Sequence, residues 1–392
     1  MIRKLNSYVD FKSISVSVKY LSIPALFTGI ALGYFFTLVV IVAKYNNFSE
    51  SMIGIISGSF SLGLMSAGFI VSKFLDKFGL YITMFLSTNI QTICVITVFL
   101  FFNPLNLIIN SYIMGFFGGM IWMTMDTWAN VVSKNDNRGK NIGFYNAAIT
   151  IGFAIGPLII GFFGSKGFLP IFIAVFLMMI RTPVILAIKN QVKGVKIPKL
   201  EKKLNFSFVK IAPFVFLSIF ISGIIDSSFG SLFPAFMINE SFTDKNIGNL
   251  FFIGLFFGVL AQPFVGALTD KISKRNMIIY LLTFHIIWPI LLYYFASNIL
   301  IISVAIIFWG IASTSLYTVT LAYLGERISI SEISIATSVF IIVFEFGEFI
   351  GPIIVGFVMD FYGNIGFIYS PLIFTISCII VGWIRSLYKY KQ

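Results

Sequence analysis

The chain has 392 residues and a formal net charge of +12, yet only 11% of its residues are charged and 58% are hydrophobic. Soluble domains carry about 25% charged residues, and a soluble fold of this composition would leave large apolar areas exposed to water. The basic residues lie in short clusters between apolar runs, which excludes a nucleic-acid-binding face and predicts an integral membrane protein in a lipid bilayer.

Twelve apolar runs are long enough to cross a membrane, because a spanning helix needs about 20 mostly apolar residues. Turn-forming residues and charges separate these runs. The predicted helices 1 to 12 are 20–43, 51–72, 81–102, 105–132, 141–165, 168–189, 209–238, 246–270, 276–297, 298–324, 334–360 and 365–388. The predicted fold is therefore an all-α polytopic membrane protein.

The distribution of Lys and Arg predicts the orientation of these helices. With both termini in the cytosol, 23 of the 27 Lys and Arg residues fall on the cytosolic side, Arg181 lies within helix 6, and only Lys44, Lys166 and Lys245 fall outside. Such an excess is the positive-inside signal, so we expect both termini in the cytosol and the protein in the plasma (inner) membrane. The basic first residues lack a cleavage site and are interpreted as an arm leading into helix 1.

The longest polar stretch lies at the middle of the chain and holds seven Lys residues between Lys189 and Lys210. It predicts an N-terminal six-helix bundle over 1–189, a basic cytosolic linker over 190–208 and a C-terminal six-helix bundle over 209–392. The linker is interpreted as a topology anchor beside anionic headgroups, and a partner-binding site is the alternative.

The two halves repeat one another at an offset of 194 to 195 residues. Predicted helices 5 and 11 share the pattern Gly-x-x-x-Gly-Pro, formed by Gly152, Gly156 and Pro157 in the first copy and by Gly347, Gly351 and Pro352 in the second. The loops after helices 2 and 8 also correspond, with Asp76, Lys77 and Gly79 in the first and Gly266, Asp270, Lys271, Lys274 and Arg275 in the second. Helices 4 and 10 align with the same offset, which indicates a duplication.

These loops resemble the signature G-x-x-x-D-[RK]-x-G-[RK]-[RK] of the major facilitator superfamily, and the first copy departs from it at Ser72 and Leu80-Tyr81. The helix 5 pattern is similar to the antiporter-type motif of that family. The segment Asp126-Thr-Trp128-Ala-Asn130, followed by Arg138-Gly139-Lys140, resembles YcaD-like transporters. The resemblance implies the fold of that family, with helices 1, 4, 7 and 10 lining a central cavity.

The repeated motifs also have a direct physical interpretation. Small residues four apart flatten a helix face, so that helices 5 and 11 can pack closely against their neighbours and slide. The Asp and basic residues of the loops are expected to dock against helix ends on the cytosolic face and to act as a gating latch. The alternatives are that the glycines serve helix packing only and that the charges set the membrane topology only.

Five charged residue positions fall well inside the predicted helices, away from their ends, where each charge costs about 2.5–3.5 kcal/mol at the helix centre. They are Asp126, Arg181, Asp226, Glu345 and Glu348, and none has an ionisable counterpart in the other half. Similar depths allow an Asp126–Arg181 ion pair, either structural or substrate-handling. Two carboxylates one turn apart in a low dielectric are not expected to be ionised together, so Glu345 and Glu348 are proton-coupling candidates, with a protonated packing residue as the alternative. The resemblance implies that Asp226 on helix 7 borders the central cavity, and it extends the same expectation to Asp126 on helix 4.

The sequence offers few residues for metal binding or catalysis. Two Cys and one His do not supply the roughly four ligands of a structural zinc site, so neither a metal nor a cofactor is predicted. His285 is expected to fill a core or interface position. With no nucleotide-binding loop and no nucleophile elbow in the sequence, neither ATP-driven transport by this chain alone nor an enzyme is predicted.

We therefore expect a monomeric secondary transporter that moves a small-molecule substrate by alternating access, coupled to protons. A passive channel or lipid scramblase on the same scaffold is one alternative, and a sensor that binds a solute without transport is another.

Overall fold

The computed structural model describes residues 14–133, 138–192, 206–269, 271–329 and 332–389, without the side chains at 138–140, 334 and 384–389. Within these ranges the chain is helical, and twelve helices are long and apolar enough to cross a membrane. In chain order they are α1 (Val16–Tyr45), α2 (Glu50–Gly68), α3 (Val71–Leu100), α4 (Pro104–Val132), α5 (Arg138–Phe163), α6 (Phe168–Ala187), α7 (Pro213–Asn239), α8 (Asp244–Thr269), α9 (Lys274–Phe295), α10 (Ile299–Gly325), α11 (Ile333–Tyr362) and α12 (Asn364–Lys389). The predicted all-α membrane fold is confirmed.

Local sequence sets several helix ends. The Asn103 side chain accepts a hydrogen bond from the backbone N–H of Asn106 at 3.0 Å, and Pro104 occupies the first position of α4. Asn298 caps α10 in the same way, with its side chain accepting from the N–H of Leu300. Asn at the cap and Pro in the first turn satisfy or remove the free N–H groups of a helix start.

The first signature loop differs from its predicted form. The turn after α2 lies at residues 69–70, and residues 71–78 are already helical. Gly79 interrupts α3 with a φ of 70°, a left-handed conformation that glycine adopts without steric cost. The predicted loop at Asp76 and Lys77 is therefore a helical segment that precedes a glycine kink.

The repeated glycines lie where helix backbones come closest. A Cβ atom at Gly152 would meet the Leu26 carbonyl of α1, and one at Gly156 would lie 2.6 Å from the Ile30 carbonyl. On α11, a Cβ atom at Gly351 would lie 2.6 Å from the Ile224 carbonyl of α7. The contacts of α5 on α1 and of α11 on α7 thus have the same glycine basis.

The described residues form two compact units. The first comprises 14–39 and 59–192, and the second comprises 40–58 and 206–389. The second unit thus contains the end of α1 and the start of α2. Most of the predicted linker, residues 193–205, lies outside the described residues, and the bundle boundaries predicted at 189 and 209 stay a prediction.

Candidate functional site

Three predicted carboxyl groups meet in the second unit. Asp226 projects from α7, and Glu345 and Glu348 project from α11 one turn apart. The two helices come together at Gly223, where a Cβ atom would clash with the Phe344 carbonyl and lie 3.0 Å from the Glu348 nitrogen. A glycine one turn before Asp226 thus brings that carboxyl group up to α11. We refer to Asp226, Glu345 and Glu348 as the acidic cluster.

Neutral hydroxyl groups hold the Asp226 carboxyl group. Its Oδ2 accepts a hydrogen bond from Ser222 Oγ at 3.1 Å, and its Oδ1 accepts one from Ser313 Oγ of α10 at 2.5 Å. Ser222 is fully buried, whereas Asp226 is only half-buried. Asp226 is therefore positioned by two helices while part of it stays accessible.

The two glutamates have different surroundings. Glu345 is 8% exposed and its Oε2 is a buried atom without a hydrogen-bond partner among the described residues, while Glu348 is half-buried. The Glu348 carboxyl group lies near that of Asp226 and beside that of Glu345, close enough for one glutamate to donate a hydrogen bond to the other when it carries a proton. A buried carboxyl oxygen without a donor is costly, and a shared proton removes that cost.

No positive side chain is paired with the acidic cluster in the described part of the chain, where the ion pairs are Lys44–Glu50 and Lys274–Glu326. The same residues contain no group of three or more His, Cys, Asp or Glu side chains arranged to hold a metal ion. The chemistry that the acidic cluster can perform is therefore binding and release of protons, or of a cationic solute.

The structure does not form the Asp126–Arg181 ion pair that the sequence allowed. Arg181 is 1% exposed and donates to Gln91 Oε1 of α3 at 2.8 Å and to Met178 Sδ at 3.1 Å. Asp126 is half-buried and lies beside the Tyr145 hydroxyl of α5. The two residues have similar depth but point at different helices, so the guanidinium group uses a neutral amide instead.

The second signature loop contacts helix ends of its own unit. Lys274 forms an ion pair with Glu326, which follows α10, and Arg275 Nη2 donates to the Gly382 carbonyl of α12 at 2.8 Å. Lys271 is exposed, and a Cβ atom at Gly266 would meet nothing within 4 Å. Asp270 lies outside the described residues, so its part in the latch stays a prediction.

The first signature loop has fewer contacts. Asp76 and Lys77 are exposed, and the Lys77 ammonium group lies 5.1 Å from the centre of the Phe78 ring. This contact lies between neighbouring residues and ties the loop to no other helix. Pro157 and Pro352 each lie inside a long helix, α5 and α11, as their pattern predicted.

Three other polar residues inside the helices each form a hydrogen bond, although Nε2 of His285 has no partner among the described residues. Tyr34 donates to the Pro170 carbonyl at 3.0 Å and Thr37 donates to the Gly33 carbonyl at 2.9 Å. His285 is fully buried, and its Nδ1 accepts from the Trp288 indole at 3.3 Å. These contacts give the three residues structural roles.

Sequence reasoning missed a polar cluster in the second unit. Glu50 accepts hydrogen bonds from Lys44 at 2.5 Å and from Asn239 at 2.9 Å. The Asp360 carboxylate accepts from the backbone N–H groups of Glu50 and Ser51 at the start of α2, at 2.8 and 3.2 Å. Acidic residues that flank helix ends were the available signal, but nothing local pairs Asp360 with α2.

Comparison with known proteins gives consistent matches along the chain. A family model described as the Major Facilitator Superfamily matches residues 21–214 and 215–391. An uncharacterised MFS-type transporter of Methanocaldococcus jannaschii is 24% identical over 372 residues, which are 91% of this chain and 95% of that protein. The uncharacterised MFS-type transporter YcaD of Escherichia fergusonii is 20% identical over 339 residues, 86% and 87% of the two chains.

Solved structures share the fold at lower identity. The nucleoside transporter NupG has a TM-score of 0.78 and 14% identity, over 96% of this chain and 100% of that one. A bacterial homologue of the human lysosomal transporter Spinster, in an inward-facing and occupied conformation, has a TM-score of 0.75 and 12% identity, over 95% and 96%. At these identities the likeness concerns the fold alone.

Proposed function

The chain belongs to the Major Facilitator Superfamily and is a multi-pass membrane transporter, and we propose that it is a secondary active transporter that moves a small solute by alternating access, coupled to protons. The proton carriers in this proposal are Glu345 and Glu348, with Asp226 as the third member of the acidic cluster. Its matches are transporters and not enzymes, which agrees with a sequence that contains no catalytic constellation.

The observation that carries the proposal is a cluster of three carboxyl groups inside spanning helices without a cationic partner among the described residues. Charge within the membrane is costly, so such groups are retained where they bind something. Neighbouring carboxylates in a low dielectric repel one another, and a proton relieves the repulsion. We therefore propose that at least one glutamate of the acidic cluster is protonated at neutral pH and releases its proton during the cycle.

The accessibility of the cluster supports the same role. Glu345 is nearly fully buried, while Asp226 and Glu348 stay half-buried. Glu345 lies beside Glu348, which in turn lies near Asp226, so a proton shared by the two glutamates can pass between a buried and a half-buried position. A group sealed in helix packing has no such route.

The test is transport by the full chain in proteoliposomes, with a pH gradient of either direction and a mixture of metabolites and drugs as solutes. We expect saturable, gradient-dependent flux that a proton ionophore abolishes. Glu345→Gln and Glu348→Gln are expected to lose pH-driven transport but to keep solute exchange at equal pH. Glu332→Gln is the matched control, because Glu332 is an exposed carboxylate at the start of the same helix.

The same measurement separates the alternatives. Non-saturating flux of solute or lipid would indicate a channel or scramblase, and solute binding without flux would indicate a sensor. Unchanged pH-driven transport in both glutamate variants would contradict the coupling role and would make these residues structural.

A further inference from the structure

The start of α2 is capped by a residue of another helix. The Asp360 carboxylate of α11 accepts hydrogen bonds from the backbone N–H groups of Glu50 and Ser51 at 2.8 and 3.2 Å. A carboxylate at the free N–H groups of a helix start forms charge-assisted hydrogen bonds and is favoured by the helix dipole. The local cap, Ser49, serves a different donor, the N–H of Met52, at 3.2 Å. The first N–H groups of α2 therefore bond to a residue that lies 310 positions later in the chain.

The position of Asp360 is not explained by α11 itself. Asp360 lies in the last turn of α11, where the dipole of its own helix disfavours a negative charge. The repeat offset of 194 to 195 residues places Lys166 or Ser165 at the equivalent position of the first half, so the duplicated scaffold does not require an acidic residue there. The same charge is favourable at the start of α2, which gives Asp360 a role in holding the two helices together.

Glycines bring the backbones of α2 and α11 together beside this cap. A Cβ atom at Gly356, one turn before Asp360, would meet the Glu50 carbonyl. On α2, a Cβ atom at Gly54 would meet the Pro352 carbonyl of α11. Small residues at these positions let the two backbones touch. The first turns of α2 are thus fitted to α11 by backbone contact as well as by the cap.

The Glu50 side chain ties further helix ends to this point. It accepts hydrogen bonds from Lys44 at the end of α1 at 2.5 Å and from Asn239 at the end of α7 at 2.9 Å. Asn239 also donates to Asn364, the first residue of α12, at 2.9 Å. The charge distribution predicts that these helix ends lie outside. We refer to Lys44, Glu50, Asn239, Asp360 and Asn364 as the outer cluster.

The outer cluster lies where α1 and α2 pass from one unit to the other. Residues 40–45 of α1 and 50–58 of α2 belong to the second unit, whereas the earlier residues of α1 and the later residues of α2 belong to the first. Asp360 and Asn239 are exposed, so water can replace the hydrogen bonds that they form. Hydrogen bonds that can be exchanged for water contribute little net free energy and can be broken and formed again.

We propose that the outer cluster is a latch, which is closed when Asp360 caps α2 and open when the outer ends of α1 and α2 leave α7 and α11. The cap gives the latch two defined states, since the first N–H groups of α2 bond either to Asp360 or to water. The ion pair between Lys44 and Glu50 lies within α1 and α2, so Glu50 keeps a partner in the open state. The inference rests on the proposed function, because alternating access is what requires these helix ends to separate.

The test is double electron–electron resonance spectroscopy of the full chain in lipid nanodiscs. Spin labels are placed on Asn46→Cys, just beyond α1, and on Tyr362→Cys, at the end of α11, since both positions are exposed. We expect a main population at short distance and a minor one at longer distance. Asp360→Ala should raise the ratio of the longer to the shorter population about tenfold, because it removes the cap. Asp360→Asn keeps a capping oxygen and should raise the ratio about threefold or less.

Glu332→Ala is the control, because it removes an exposed carboxylate at the opposite end of α11, and it should leave both populations unchanged. Hydrogen exchange is the second measurement, and the amides of Glu50 and Ser51 should exchange about tenfold faster in Asp360→Ala. Equal distance distributions in the wild-type chain and Asp360→Ala would overturn the latch, and unchanged hydrogen exchange would overturn the cap.

These measurements need neither a solute nor a pH gradient, so their failure is distinct from failure of the proposed function. Proton-driven transport with an unchanged distance distribution in Asp360→Ala would contradict only the latch. A changed distribution in a chain that transports nothing would contradict only the proposed function.

Discussion

At the scale of single residues, the buried charges of the two units are stabilised in different ways. Arg181 is enclosed by Gln91 and Met178, with its Nε atom lacking a partner among the described residues. A guanidinium group carries five N–H donors, so each acceptor that it has in the membrane interior matters. In the acidic cluster, the hydroxyl groups of Ser222 and Ser313 donate to the Asp226 carboxyl group instead.

The stability of the protein is therefore expected to depend on Gln91 as long as Arg181 is present. Gln91→Leu should destabilise the protein by about 2 kcal/mol or more. The Arg181 guanidinium group would lose the Gln91 amide oxygen as its acceptor while remaining buried. The measurement is the thermal unfolding midpoint in detergent. The double variant Gln91→Leu/Arg181→Met is the control and should unfold at a higher temperature than Gln91→Leu alone. A double variant less stable than the single one would show that Arg181 has another partner.

At the scale of helices, the glycine motifs set how close α7 and α11 come, and that distance decides whether the acidic cluster forms. Gly223 and Gly351 remove side chains from the same contact that carries Asp226 and Glu348. Wider separation of these helices would move the Asp226 carboxyl group away from α11. Packing and the proposed proton chemistry thus depend on the same small residues.

Two glycine-to-alanine changes test the packing. Gly347→Ala should lower the unfolding midpoint, because its Cβ would clash with the Phe220 carbonyl and lie 3.1 Å from the Ile224 nitrogen. Gly266→Ala should leave stability unchanged or raise it by about 0.5–1 kcal/mol, since a Cβ there meets nothing within 4 Å and Ala is the better helix former. Equal midpoints for the two variants would contradict the close approach of α7 and α11.

The twelve spanning helices and the candidate carboxylates could be predicted from the sequence. Long apolar runs, and charged residues inside them, can be recognised without knowing how the helices pack. The resemblance to major facilitators is likewise confirmed by the family match over residues 21–214 and 215–391. The partners of Arg181 could not be predicted, since they depend on how each helix is rotated about its axis. The helical form of residues 71–78 was also missed, because a polar segment between apolar runs looks like a loop.

At the scale of the whole molecule, the orientation in the membrane rests on charge. We propose that both termini and residues 190–208 lie in the cytosol, because 23 of 27 Lys and Arg residues fall on that side. Most of the linker lies outside the described residues, so the orientation is better tested at exposed positions elsewhere in the chain. Lys245 and Lys271 suit this purpose, since Lys245 lies in the first turn of α8, Lys271 follows its last residue, and both are exposed.

Single-cysteine labelling of whole cells tests this orientation. Lys245→Cys should react with a membrane-impermeant maleimide in intact cells, because its end of α8 is proposed to lie outside. Lys271→Cys should react only after the membrane is permeabilised. The two native thiols should contribute little background, because Cys94 is 4% exposed and Cys378 is fully buried. The wild-type chain measures that background directly. Labelling of Lys271→Cys in intact cells, with Lys245→Cys protected, would show the opposite topology. It would contradict the orientation that the charge distribution predicts.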